Sequence, residues 1–405
     1  MKNYNILHQL GFIIRREYLT ISTSYAILLV LIGGIFIYGL LYNFMYAPNI
    51  VTDAPVAIVD NSHSKMSRDF TRWLDATQQV EVYGQALNFE EAKSWMKSGK
   101  VQGIIYLPYN FETKVFRGDE STFSLYGTTD AFLYFEAMQR ATTSVMLAIN
   151  DKYRSAEASF LSPQGLAAVA IAKPITISGT PLYNFTEGYG SYLIPAVMIV
   201  IIFQTLMMVI GMVAGEEHFT HGISAYLPFG NTWAVATRII LGKTFVYISL
   251  YALFSFFLLG LLPHFFSIPN IGNGIDITLL MIPYLLATSF FGLAVSRYFT
   301  DSEAPLLMIA FFSVGLIFLS GVSYPLELMP WYWQSAHYLF PAAPAALGYV
   351  QLNSMGANLA DIMPQYITLW VQVVVYFLLS VWVYKLKLDA TDVVLYEKKN
   401  QIDNK

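Results

Sequence analysis

Residues Tyr192–Gly215 read YLIPAVMIVIIFQTLMMVIGMVAG, with no Asp, Glu, Lys, Arg or His. A run of about 20 apolar residues is long enough to cross the hydrocarbon core of a bilayer as a helix. Outward from this stretch, five more segments have the same character: Tyr25–Asn43, Ile239–Leu262, Ile277–Val295, Pro305–Val322 and Ile367–Tyr384. The expected fold class is therefore a membrane α-helical protein with six transmembrane helices. The composition agrees. Of 405 residues 56% are hydrophobic and only 12% charged, with mean hydropathy +0.49, whereas soluble chains carry about 25% charged residues. The net charge of −4 points to no nucleic-acid partner, and the absence of cysteine excludes disulfides, thiolate metal sites and a cysteine nucleophile. The first apolar run starts too late, is too long and lacks a small-residue cleavage site, so it is not a cleavable signal peptide.

Lys and Arg orient the spans. Lys2, Arg15 and Arg16 precede the first span; Arg238 and Lys243 sit near the start of the third; Arg297 lies between the fourth and fifth; Lys385, Lys387, Lys398, Lys399 and Lys405 follow the sixth. The connection after the third span and the stretch Leu326–Tyr366 have no Lys or Arg. Both termini are expected in the cytoplasm. In residues 1–24, Ile6, Leu7, Leu10, Ile13 and Ile14 alternate with Arg15, Arg16 and Glu17. That spacing predicts an amphipathic helix in the cytoplasmic interface, in preference to a frayed start of the first span (25–43).

Residues 48–185 change character. Short apolar strands (VAIVD, VEVYG, VQGIIYLP, STFSLYG) alternate with helical patterns that place Met66, Phe70, Trp73 and Leu74 on one face, or begin at Asn88 and stop at Gly99. A long helix follows from about 131 to 159. This predicts an inserted extracytoplasmic α/β domain large enough to bury its own core. His63, between Ser62 and Ser64, reads better as a loop residue capping a helix than as half of a nucleophile pair. Asp60 and Asp130 end strands, where turn and cap roles are common. No catalytic residue is assigned.

Several stretches resemble the permeases of type-2 ABC exporters, in the subgroup with a large extracytoplasmic domain between the first two spans. They are VAIVDNSHSKMSRDF, KVQGIIYLPYNFETKVFRGDESTFSLYGTTD, the Leu-x-Pro of SYLIPAVMIVII, GLAVSRYFTDSEAPLLMIAFF, and LSGVSYPLELMPWYWQSAHYLFPAAPA. In the last, Ser320, Gly321, Pro325, Met329 and Pro330 match the signature in register. The resemblance covers nearly the whole chain. The connection from the second to the third span departs from it: Glu216, Glu217, Gly222, Leu227, Pro228, Gly242 and Lys243 are recognisable, but the spacing differs and a Gly-Thr pair is missing.

The resemblance implies a five-span bundle over 190–386 beside the first span, a cytoplasmic tail over 387–405, and a dimer with a second copy or a sister permease. It implies cytosolic ATP-binding subunits that hold the ATP and Mg, with no cofactor on this chain. It also implies a place in the bacterial cytoplasmic membrane among its lipids, and leaves room for a periplasmic adaptor. It puts ATPase coupling on the first helix (Arg15, Arg16, Glu17) and on Glu216, Glu217, His218 and Gly222. The acidic pair Glu216–Glu217 has three readings: docking on a basic groove, ordering an arginine of the first helix, or a solvated helix end. His218 and His221 lack a third firm ligand and are read as polar loop residues, not a metal site. The outer stretch 323–365 is rich in Pro, Trp and Tyr; with Ser320, Gly321, Pro325, Met329 and Pro330 it reads as an outer gate, an aromatic belt, or both.

The spans carry almost no ionisable side chains, which disfavours ion-coupled transport and favours an amphipathic, drug-like or lipid-like cargo moved outward past aromatics, methionines and amides such as Gln204. Two other classes compete with this reading. A membrane-anchored receptor needs an output domain, and only short cytoplasmic segments are in sight. An intramembrane enzyme needs polar groups at depth. The triplet Gly242-Lys243-Thr244 echoes a phosphate-binding loop, but G-x-x-x-x-G-K-[ST] requires glycine where Thr237 stands. Lys243 reads instead as an anchor that snorkels to the cytoplasmic interface beside Arg238.

Overall fold

The structure, a computed structural model, describes residues 5–47, 50–117, 122–127, 132–159, 188–220 and 222–403. Asp130 and His221 lie outside the described residues. The chain divides into two compact units, Met1–Asn49 with Pro181–Lys405, and Ile50–Thr180.

Helix α1 (Ile6–Thr23) buries Gln9, Ile13, Glu17 and Ile21, one residue per turn. Ser24 adopts an extended conformation and separates α1 from the apolar α2 (Tyr25–Met45).

In the second unit, β1 (Ala54–Asp60) is followed by α3 (Lys65–Asp75), β2 (Val80–Gln85), α4 (Phe89–Lys97), β3 (Gly103–Leu107), α5 (Phe111–Arg117), β4 (Ser124–Gly127) and α6 (Phe132–Ser159). The sheet order is β2-β1-β3-β4; β1 pairs in parallel with both neighbours, and β4 is antiparallel to β3. Alternation along β1 feeds two cores. Ala54, Val56 and Ile58 meet Met66, Phe70 and Leu74 of α3 and Met138, Ala141 and Val145 of α6. Ala57 and Val59 meet Ala92 of α4 together with Ile104. A parallel strand covered on both faces is apolar throughout for this reason. Ser64 and Ser67 form a reciprocal cap at the start of α3, and Asn88 caps α4. Asp60 accepts from the Ser62 and His63 backbone N–H groups and from the Ser67 hydroxyl. Asn61 ties the ends of β1 and β3 through the Leu107 carbonyl and the Tyr106 hydroxyl. The strand-end aspartate thus serves a turn and a cap.

The first unit continues with α7 (Tyr189–Phe219), α8 (Trp233–Phe265), α9 (Gly274–Tyr298), α10 (Ala304–Leu319), α11 (Trp331–His337), α12 (Ala342–Met355) and α13 (Met363–Asp403). Among the described residues, five helices are long and apolar enough to cross a membrane: α2, α7, α8, α9 and α13 over Met363–Val393. The fifth expected span, α10, has 16 residues, about 24 Å of helix, short of the roughly 30 Å hydrocarbon core. In its apolar window α7 is 94% buried, against 28% for α2 and 33% for α13. A helix apolar on every side belongs at the centre of a bundle, and α7 packs against α9, α10 and α12. The exposed apolar residues lie on peripheral helices, such as Leu29 and Ile37 on α2, Phe311 and Phe318 on α10, and Val371 and Leu378 on α13.

Three boundaries differ from the sequence expectation. Helix α8 starts at Trp233, not Ile239, because Thr232 caps it by accepting from the Val235 N–H. Glu216 and Glu217 lie inside α7, which runs to Phe219. The tail expected from 387 onward begins as a continuation of α13.

Candidate functional site

Helix α1 lies against α8 rather than presenting its apolar face only to a membrane surface. The contact is close at Gly242, where an added Cβ would fall 2.7 Å from the Ile13 Cγ2. One residue further along α8, Lys243 turns inward and is 1% exposed. Its Nζ donates to Glu17 Oε2 at 2.5 Å and to Glu217 Oε1 at 2.8 Å, and both carboxylates are buried. The Tyr247 hydroxyl, one turn along α8, donates to the other oxygen of Glu17, and the Tyr226 hydroxyl lies 3.4 Å from Glu217 Oε1.

A second ring of charge surrounds these groups. The Arg16 guanidinium stacks 4.8 Å above the Tyr226 ring. Gly222 makes room for it, since a Cβ there would meet Arg16 Nη2 at 2.7 Å. Lys387 of α13 sits 4.8 Å above the Tyr384 ring and donates to the Ser296 hydroxyl at 3.0 Å. Arg238 reaches back to Gln9 Oε1 at 2.8 Å. Burial pushes the Glu17 carboxyl above its ordinary range, and Lys243 opposes the rise. Burial also drives the Tyr226 phenol well up, so it stays a neutral donor. A buried ion pair is held only where geometry and further hydrogen bonds offset desolvation; here one ammonium serves two carboxylates, and each carboxylate has a tyrosine.

The expected coupling residues therefore separate. Arg16, Glu17, Glu217 and Gly222 converge on one cluster. Arg15 and His218 are exposed, and Glu216 is half-buried. Arg16 stacks on the Tyr226 ring, whose hydroxyl faces Glu217, while Glu217 itself pairs with Lys243. The snorkelling role expected for Lys243 is corrected, because the side chain points away from the interface into the helix packing. Ionisable groups stay few in the long apolar helices, with Glu217 in the last turn of α7 and Lys243 in the first half of α8. Lys243, Tyr247, Tyr226, Tyr384 and Lys387 were not singled out as site residues. The available signal was a lysine and a tyrosine four apart on an otherwise apolar helix, opposite a glutamate on another.

The residues expected at the outer gate form a compact turn. The buried Ser320 donates to the Ile317 carbonyl and accepts from the Val322 N–H. Gly321 has φ +83°, a conformation open to glycine. Pro325 precedes a short 3-10 turn at Leu326–Leu328. The Met329 carbonyl accepts from Gln334, and Pro330 starts α11. His337 Nδ1 lies 2.7 Å from the Leu319 carbonyl, fastening α11 to the end of α10.

Long apolar helices around a buried core, two of them joined to each other and to α1 by an ion-paired seam, define a multi-pass helical membrane protein. The chain belongs to the ABC-2 family of transporter proteins, whose family model matches residues 25–382. It is accordingly a permease subunit of an ABC transporter, a membrane transport component that associates with ATP-binding subunits. No curated protein and no solved structure matches the chain. The Gly-Lys-Thr triplet does not fit a nucleotide: Gly242 is used for helix contact and Lys243 by two carboxylates.

Proposed function

We propose that this permease exports an amphipathic, drug-like or lipid-like cargo across the bacterial cytoplasmic membrane. In this reading separate cytosolic subunits bind and hydrolyse ATP with Mg, and the permease works as a dimer with a second copy or a sister chain. Both termini face the cytoplasm, and Ile50–Thr180 stands outside, where it meets an adaptor if one exists. The buried cluster of Arg16, Glu17, Glu217 and Lys243 is the joint through which the ATP-binding subunits move the bundle. One observation carries this reading. A single lysine of α8 binds an amphipathic helix and the last turns of the central helix α7 together, so neither moves without disturbing the other.

In this reading the cytosolic partner is received at the exposed apolar side chains beside the cluster. Phe219 at the end of α7 is 85% exposed and Leu7 of α1 76%, both on elements that carry the cluster. Large exposed apolar side chains grouped on connecting segments mark contact surfaces.

The test is co-purification of the chain from its native membranes with an ATP-binding subunit, followed by ATP-driven uptake of a fluorescent amphiphile into inside-out vesicles. Export predicts a stable complex and uptake that Phe219→Asp reduces at least tenfold. A permease that never retains such a subunit, or uptake unchanged by Phe219→Asp and Lys243→Arg together, overturns the proposal.

A further inference from the structure

Helix α13 carries polar side chains at every fourth position of its buried face: Gln372, Tyr376, Ser380 and Tyr384, all under 7% exposed. Residues four apart form a stripe along one side of a helix. The two ends of this stripe grip different parts of the unit. At one end, Lys387 donates to both the hydroxyl and the carbonyl of Ser296, and Tyr384 lies 6.0 Å from Lys243 of the charge cluster. At the other, Gln372 Nε2 donates to the Tyr338 carbonyl at 2.8 Å, and the Tyr376 hydroxyl to the Leu339 carbonyl.

Tyr338 and Leu339 follow the last turn of α11, where backbone carbonyls lack helical partners. Side chains of α13 supply the missing donors. Between the two ends the helix is locked by rings: Tyr376 lies 5.0 Å from Phe291, and Phe377 5.1 Å from Phe290, both on α9. Gln372 and Lys387 are about 22 Å apart at 1.5 Å per residue. A continuous helix, internally hydrogen-bonded over that length, turns or shifts as a body.

We infer that Gln372, Tyr376, Tyr384 and Lys387 are positioning residues that make α13 the rod connecting the buried charge cluster to the Ser320–Leu339 turn assembly. The inference rests on the cluster being the input joint of the transporter. A displacement at Lys387 is delivered to the Tyr338 and Leu339 carbonyls, and through His337 to the end of α10. The outer assembly is thereby set from the opposite end of the unit, without any charge placed at mid-depth.

The chain contains no cysteine, so one introduced thiol reports cleanly. Full-length Trp333→Cys protein in lipid nanodiscs is reacted with a water-soluble maleimide, and the labelling rate at position 333 is measured in four backgrounds: otherwise unmodified, Lys387→Met, Gln372→Leu with Tyr376→Phe, and all three changes together. Lys387→Met is expected to alter the rate about threefold or more, and to have no further effect once Gln372 and Tyr376 are replaced. A loss of packing at Lys387 alone would act equally in both backgrounds. If Lys387→Met does not fold, Ser296→Ala removes the facing hydroxyl and leaves α13 intact. An unchanged rate, or an equal change with and without the Gln372 and Tyr376 ties, overturns the inference. No ATP-binding subunit takes part, so failure here leaves the transport reading standing, whereas failure of co-purification removes the input joint and leaves only the mechanical link that the labelling measures.

Discussion

Lys243 shows how much one residue type depends on its surroundings. On an isolated helix end a lysine extends its stem and keeps its ammonium in water. Here two carboxylates wait inside the packing, and the side chain goes to them. Removing one partner of a buried ion pair costs about 3–5 kcal/mol because the other charges stay buried and uncompensated. Lys243→Met is therefore expected to lower the melting temperature of the purified chain sharply. Combining it with Glu17→Leu and Glu217→Leu should recover most of that loss while leaving transport abolished. A fluorescence melting series reads the first, and vesicle uptake the second; a triple variant as unstable as the single one would show that the cluster's charges do not account for the loss. At the neighbouring position, Gly242→Ala drives a methyl group into Ile13, and overpacking of this kind costs about 1–3 kcal/mol. The expected signature is faster proteolysis within α1 while the Ile50–Thr180 unit keeps its resistance.

Among the elements, α11 offers a pH-dependent one. His337 is buried, with its Nδ1 against the Leu319 carbonyl and its ring 5.0 Å from Tyr338. Burial pushes the imidazole below its ordinary value, partly offset by that carbonyl. An opened turn restores the ordinary value of about 6.5, so the open form binds the proton more readily. The stability contributed by His337 is present above pH 6.5 and is lost as pH falls below it. Protection factors of the Ser320–Leu339 amides, corrected for the intrinsic slowing of exchange at lower pH, should fall between pH 7 and pH 5.5. His337→Asn, which keeps a donor near the Nδ1 position, should flatten that response; a slope unchanged in the variant would assign it to another group. The same element shows what was legible beforehand. The Ser-Gly turn, the two prolines and the aromatic run announced a non-spanning assembly, because those residues have strong local preferences. The tie from His337 to Leu319 was not legible, since it joins residues whose proximity depends on how α10 and α11 pack. The helical spacing of α1 is legible in the sequence, but the face it buries is not: Gln9, Ile13, Glu17 and Ile21 turn inward while Ile6 and Leu7 stay exposed, because the partner helix α8 leaves no mark on a periodicity.

For the whole molecule, the division into two units has a direct test. The cores of the Ile50–Thr180 unit are drawn entirely from its own residues. A soluble fragment of residues 50–159 should fold with a cooperative thermal transition, followed by circular dichroism. A fragment that stays unfolded while the same segment resists protease in the full chain would show that it needs the rest of the protein. The membrane unit is expected to behave oppositely and to stay with the lipid after alkaline washing, because α2, α10 and α13 present large apolar faces outward.

The sequence by itself determined the class of protein, a chain of several long apolar helices, and the family. All of these rest on local quantities: hydropathy over some 20 residues, alternation along strands, capping residues and short motifs. Only the tertiary structure decided that Lys243 meets Glu17, a partner 226 positions away, that α10 is the short helix against the central α7, and that α13 runs from the cluster to the Tyr338 and Leu339 carbonyls. Those facts are set by which faces of which helices pack together, and an apolar helix carries almost no periodic mark of its neighbours. A buried charge is a non-local agreement between distant residues, and it becomes readable only when the packing brings them within a few ångströms.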